Sequence, residues 1–146
     1  MIDPRTAPYA ALLLRVTLGG LFLVHAALKI FVLTPAGTAQ FFASLGLPPA
    51  LAYLVMTGEV LGGVALILGL WARPVALLLT SILLGAIVTV HAANGFYFND
   101  LHGGWEYPAF WIVALVVQAL IGDGALALHP SAKPTAAARL AGAHSH

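Results

Sequence analysis

The chain contains no cysteine at any of its 146 positions. That removes disulfides, thiolate metal sites, cysteine-ligated iron–sulfur clusters and thiol redox chemistry from the mechanisms open to it. Charge is scarce as well. Asp, Glu, Lys and Arg together make up 8% of the residues, against about a quarter in a soluble domain. The net charge of +1 offers no basic surface for nucleic acid. Two catalytic signatures are also missing. Ser44, Ser81 and Ser131 stand in no GxSxG elbow, and the six histidines show neither HxxxH nor HExxH spacing.

What the chain does have is apolar length. It is 61% hydrophobic, with a mean hydropathy of +0.98, a balance that excludes an ordinary soluble core. Four apolar runs, about Pro8–Phe31, Pro48–Trp71, Pro74–Ala93 and Tyr107–Leu126, are separated by breaker residues. Each has roughly the 20 residues needed to cross a hydrocarbon layer about 30 Å thick. Helices are expected, because an open sheet leaves its backbone unsatisfied in lipid and barrel alternation is absent. The first run exceeds a signal-peptide core and carries Arg15, His25 and Lys29, so it reads as a retained span.

Basic residues set the expected orientation. Arg5, Arg73, Lys133 and Arg139 share one side if both termini are cytoplasmic, while segments 32–47 and 94–105 contain no Lys or Arg. The pattern predicts an all-α, integral membrane four-helix bundle, N-in and C-in. Thr34-Pro35 forms a helix-start signal and Gly46 a stop, which predicts a short interfacial helix between the first two spans. Trp71, Trp105, Tyr107 and Trp111 are placed as an aromatic belt. Residues 1–128 form the expected membrane domain, and the Ala-, Pro- and Thr-rich stretch 129–146 reads as a disordered cytoplasmic tail.

Ionisable groups inside a span carry a cost that something must offset. Arg15 lies roughly 12 Å from the inner end of the first span, and Glu59 roughly 13–18 Å from the same face in the second. They are therefore expected to pair, either as a register-fixing ion pair or as a proton-active or substrate-binding site. On a helical wheel Arg15, His25 and Lys29 share an arc of about 80°. His25, Lys29, His91, Asp100, His102 and Glu106 are expected to converge at the outer face. Three chemistries fit such a cluster: a quinone held through its carbonyls with protons shuttled by histidine, a metal such as zinc or copper, or one haem between His25 and His91. The plainer alternative has His91 and His102 capping helix ends and Lys29 snorkelling to the headgroups. Gln118 reads as an interhelical hydrogen bond.

The segments LLLRVTLGGLFLVHAALKI (12–30), GTAQFFASLGLP (37–48), GEVLGGVALILGLWARP (58–74), GAIVTVHAANGFYF (85–98) and GGWEYP (103–108) together resemble the DoxX family of small four-helix membrane proteins. The resemblance implies site roles for Arg15, His25, Lys29, Glu59, His91, Trp105 and Glu106. It further implies a link to quinones and to a partner redox subunit, since the family takes its name from a subunit of a thiosulfate:quinone oxidoreductase. The expected function is thus a redox-associated protein of the bacterial inner membrane, with catalytic roles for His25, His91 and Glu59. Quinone is the expected ligand ahead of haem or metal, and homo-oligomers are allowed. The alternative is a non-catalytic adaptor that assembles a partner complex. Thiosulfate oxidation by this polypeptide alone does not fit a chain without cysteine.

Overall fold

The computed structural model describes residues 3–131, and all of its regular structure is helical apart from one isolated backbone bridge between Leu70 and His129. Helix α1 spans Ala7–Val32, α2 Pro35–Ser44, α3 Ala50–Leu68, α4 Ala72–Asn94 and α5 Glu106–Ile121. Helices α1, α3 and α4 are long and apolar enough to cross a membrane; α5 is a shorter apolar helix of 16 residues, roughly 24 Å long. Gly122 stops α5 with φ +96, a left-handed conformation that residues with a Cβ avoid. The chain then turns back, and Ala125 N–H donates to Pro8 O at the start of α1. One end of the bundle therefore carries the start of α1 and the finish of α5. The opposite end, here the loop end, carries α2 and the 95–105 loop.

The core is a single apolar seam. Leu18 and Phe22 from α1, Leu66 from α3, Leu79 and Leu83 from α4, and Trp111 and Leu115 from α5 are all buried in it. Helices α1 and α3 approach closely at two glycines. A Cβ on Gly19 would lie 2.6 Å from Gly63 O, and one on Gly63 would lie 2.9 Å from Gly19 O. Small residues allow this backbone contact, which supplies packing where lipid gives no hydrophobic drive.

Helix α2 matches its sequence signals. The Thr34 hydroxyl accepts from Gly37 N–H, proline occupies the first turn, and the chain leaves through Gly46 at φ +77. Its inner face rests on a satellite cluster of Ala39, Ala52 and Met56, with Ile30 and Phe42 against it. Thr38, also buried, donates to the Lys29 carbonyl and so ties α2 to the end of α1.

Of the expected tail, positions 132–146 lie outside the described residues. Positions 129–131 are tied down: Trp71 N–H donates to His129 O, the Trp71 and His129 rings stand 4.7 Å apart, and Ser131 N–H and hydroxyl both donate to Asp123. Asp123 also accepts from Ala72 N–H at the start of α4, where an acidic side chain satisfies an otherwise unpaired donor.

Candidate functional site

The expected pairing of Arg15 with Glu59 is not what the fold builds. Glu59 receives two hydrogen bonds from Lys29 Nζ, at 2.7 and 2.9 Å. Arg15, fully buried, donates instead to Ile67 O at 3.3 Å and Ala125 O at 3.0 Å. Two geometric facts explain the exchange of partners. Opposing Gly19 and Gly63 fix the register, which sets Arg15 level with Ile67 and Leu23 level with Glu59. The resulting offset between Arg15 and Glu59 is eight residues, roughly 12 Å. Side chains also lean toward the N-terminus of their own helix. On antiparallel helices this carries Lys29 and Glu59 toward one another and Arg15 away from Glu59. Lys29 therefore turns into the bundle rather than out to headgroups.

Arg15 is thus a cap. Its guanidinium meets a carbonyl near the C-terminus of α3, where helices leave acceptors unpaired, and one in the turn after α5. Gly69 makes room for it: a Cβ there, at φ +68, would collide with the guanidinium and with Ala127. An ammonium is a single point of charge and cannot span two separated carbonyls as a planar fork does. Arg15→Lys is expected to cost about 2 kcal/mol, read from SDS-induced unfolding in mixed micelles.

The loop end holds the remaining groups. Lys29 and His91 line one cavity of about 440 Å³ between α2, α3 and α4, whose other walls include Phe41, Phe42, Val55 and Ile82. Only 5% of the Glu59 side chain is exposed against 23% for Lys29, so Lys29, which lines the cavity, is the more accessible half of the pair. Both lining residues stand in widened π turns, Leu28–Val32 closing α1 and Ile87–His91 in α4. Such turns add a residue to the helical ring and re-aim the side chains that follow; they recur at functional sites.

His91 is held at both nitrogens. Nδ1 lies 2.9 Å from Gly103 O, and Nε2 lies 2.9 Å from the Tyr107 hydroxyl. Asn94 fastens the same loop by donating to Val90 O, His102 O and Gly103 O. Asp100 and Glu106 are spent on backbone within the loop, accepting from Tyr97 N–H and Phe98 N–H. Trp105 packs its ring against Phe96 at 4.7 Å. His25 stands apart from His91. It lines a cleft of about 300 Å³ between α1 and α5 with Tyr107 and Trp111, its ring 5.0 Å from the indole. The pair weighed as haem ligands therefore faces two different spaces. Among the described residues no group of three His, Cys, Asp or Glu side chains is placed to hold a metal ion. Gln118 donates to Gly122 O, four residues on in its own chain, rather than across helices; the turn at Gly122 folds that carbonyl back within reach.

Tyr107 is the residue that sequence reasoning passed over. It touches the His91 hydroxyl-bonding nitrogen and lines the His25 cleft. With Glu106, Phe96 and Phe98 it also lines a third cavity of about 530 Å³. Its sequence signal, an aromatic at a span boundary, is the same as that of any belt residue.

A model of the DoxX family matches residues 10–92, more than half of the chain. The chain belongs to the DoxX family. The matched stretch holds Arg15, His25, Lys29, Glu59 and His91, and so the whole Lys29–Glu59 pair, whereas Ala125, the second acceptor of Arg15, lies beyond it. Trp105, Glu106 and Tyr107 fall beyond it. The chain is also similar to a protein of Bacillus subtilis (strain 168) named "Putative oxidoreductase CatD", 39% identical over 119 residues that cover 82% of this chain and 84% of that protein. No solved structure matches the chain. It is a membrane protein of the DoxX family, and its helices contact the bilayer.

Proposed function

We propose that this chain is a redox protein of the bacterial inner membrane that binds a quinone in the Lys29–His91 cavity. The observation that carries the reading is the cavity itself: about 440 Å³, walled largely by phenylalanine and aliphatic side chains, with Lys29, Ser81, Thr89 and His91 as its polar lining. An apolar space with a few placed polar groups is what a ring-shaped, lipid-soluble ligand requires. Lys29 spends two of its three N–H bonds on Glu59, which leaves one for a carbonyl oxygen. Glu59 supplies the counter-charge to Lys29 in these apolar surroundings. Reduction of a quinone takes up two electrons and two protons and builds negative charge on the ring; His91, on the same wall, is the group that can gain a positive charge to offset it. The electrons are assigned to a partner redox subunit. The name of the B. subtilis relative supports a redox role. In the expected orientation the loop end faces outward, because Arg5 and Arg73 belong to the other end and 95–105 has no Lys or Arg.

The test is quinone titration of the purified protein in detergent, followed by quenching of tryptophan fluorescence. Saturable quenching is expected in the wild type. The Lys29→Met, Glu59→Gln double variant removes the ammonium without stranding the carboxylate, and should bind about tenfold more weakly, the worth of a charge-assisted hydrogen bond. His25→Ala, altered in the separate cleft, should bind within about twofold of wild type. Absence of saturable binding in the wild type would defeat the quinone reading and favour the adaptor role.

A further inference from the structure

We propose that Tyr107 is the proton gate of His91: the imidazole gains and loses protons through the Tyr107 hydroxyl and by no other route. The argument starts from the two hydrogen bonds. A carbonyl oxygen only accepts, so the 2.9 Å contact with Gly103 O obliges Nδ1 to carry hydrogen. The neutral ring is therefore the Nδ1–H tautomer, and Nε2 is the one atom at which a proton can be added or withdrawn. Nε2 meets the Tyr107 oxygen at 2.9 Å, with the two rings edge to face and their centroids 5.1 Å apart. In neutral His91 the hydroxyl donates to Nε2. In the imidazolium Nε2–H donates to the hydroxyl oxygen, which then points its own hydrogen outward.

A proton can thus pass without any side chain changing place. A hydronium ion gives one proton to the Tyr107 oxygen as the hydroxyl proton moves onto Nε2 and leaves as water, so the positive charge passes to the imidazolium, the atoms balance and the tyrosine ends neutral. Tyr107 is positioned for that exchange, since 40% of it is exposed and it lines both the Glu106 cavity and the His25 cleft. The titratable groups around the pair are Lys29, across the ligand cavity, and Glu106 and His25, each sharing a cavity with Tyr107. The purpose of the gate rests on the quinone reading above: with both ring nitrogens engaged, His91 would take up its charge from outside through Tyr107, and the imidazolium beside the cavity would offset negative charge on a reduced ring.

The experiment is nuclear magnetic resonance of the full chain in detergent micelles, labelled with ¹⁵N and ¹³C in histidine, with no quinone added. His91 is assigned from the signal lost in His91→Gln. Wild-type protein is expected to show neutral His91 as one tautomer protonated at Nδ1, and a single averaged signal across a pH titration. Tyr107→Phe should keep the Nδ1–H tautomer, because Gly103 still holds it. Its protonation exchange should slow by about tenfold or more, splitting the two forms into separate signals. Unchanged exchange in Tyr107→Phe would overturn the proposal. So would a wild-type neutral ring protonated at Nε2, a result that depends on no variant. Since no quinone is present, failure here is distinct from failure of the quinone titration.

Discussion

Glu59→Ala is expected to destabilise the bundle by about 3 kcal/mol, while adding Lys29→Met to it should restore more than half of that loss. The reasoning is that of a stranded charge. Removing the carboxylate leaves the Lys29 ammonium in apolar surroundings with both of its carboxylate acceptors gone. The paired state is not in itself strongly stabilising, because both ions have left water to form it. Breaking it from one side is what costs. With Met at position 29 nothing is left unpaired, and a flexible thioether fills the space of the lysine stem. SDS titration of the two variants beside wild type, read by circular dichroism, measures both quantities. Equal destabilisation in the single and double variants would show that Glu59 acts through packing and not through its charge.

The second large effect is expected at the α1–α3 crossing. Gly19→Leu should destabilise by about 3 kcal/mol or more, and Gly20→Leu, one position along, by less than about 1 kcal/mol. A Cβ at Gly19 meets the carbonyl oxygen of Gly63 and the backbone nitrogen of Ile67, whereas one at Gly20 meets nothing within 4 Å. Backbone cannot swing aside as a side chain does, so α1 and α3 must separate. Separation also breaks the register that brings Lys29 to Glu59 and Arg15 to Ile67. The same unfolding titration distinguishes the two glycines.

Much of the fold was legible from composition and punctuation. Four apolar runs, the Thr34-Pro35 start and the Gly46 stop correspond to α1, α3, α4, α5 and the short α2; three of the runs form helices of spanning length, while α5 ends at Ile121, short of the expected Leu126. These are local properties, decided by what a backbone in lipid must satisfy and by what each residue's dihedrals allow. That Arg15, Lys29 and Glu59 must each find a partner was equally plain, since an isolated charge in an apolar interior is costly whatever the fold.

Which partner each would find was not legible. The depths of Arg15 and Glu59 looked alike when counted from the ends of apolar runs, but pairing depends on offsets of one or two turns and on side-chain lean. Those follow from the contact of Gly19 with Gly63, a relation between residues 44 positions apart. The separation of His25 from His91 was hidden for the same reason. Both lie near the loop end, yet α5 and the folded 95–105 loop place Tyr107 between their surroundings. The sequence by itself determined that this is a helical membrane bundle with a few ionisable groups that must be paired. The tertiary structure alone decided the pairs, the cavity and the partners of His91, because each depends on distances of a few ångströms between helices, and sequence spacing measures distance only along one.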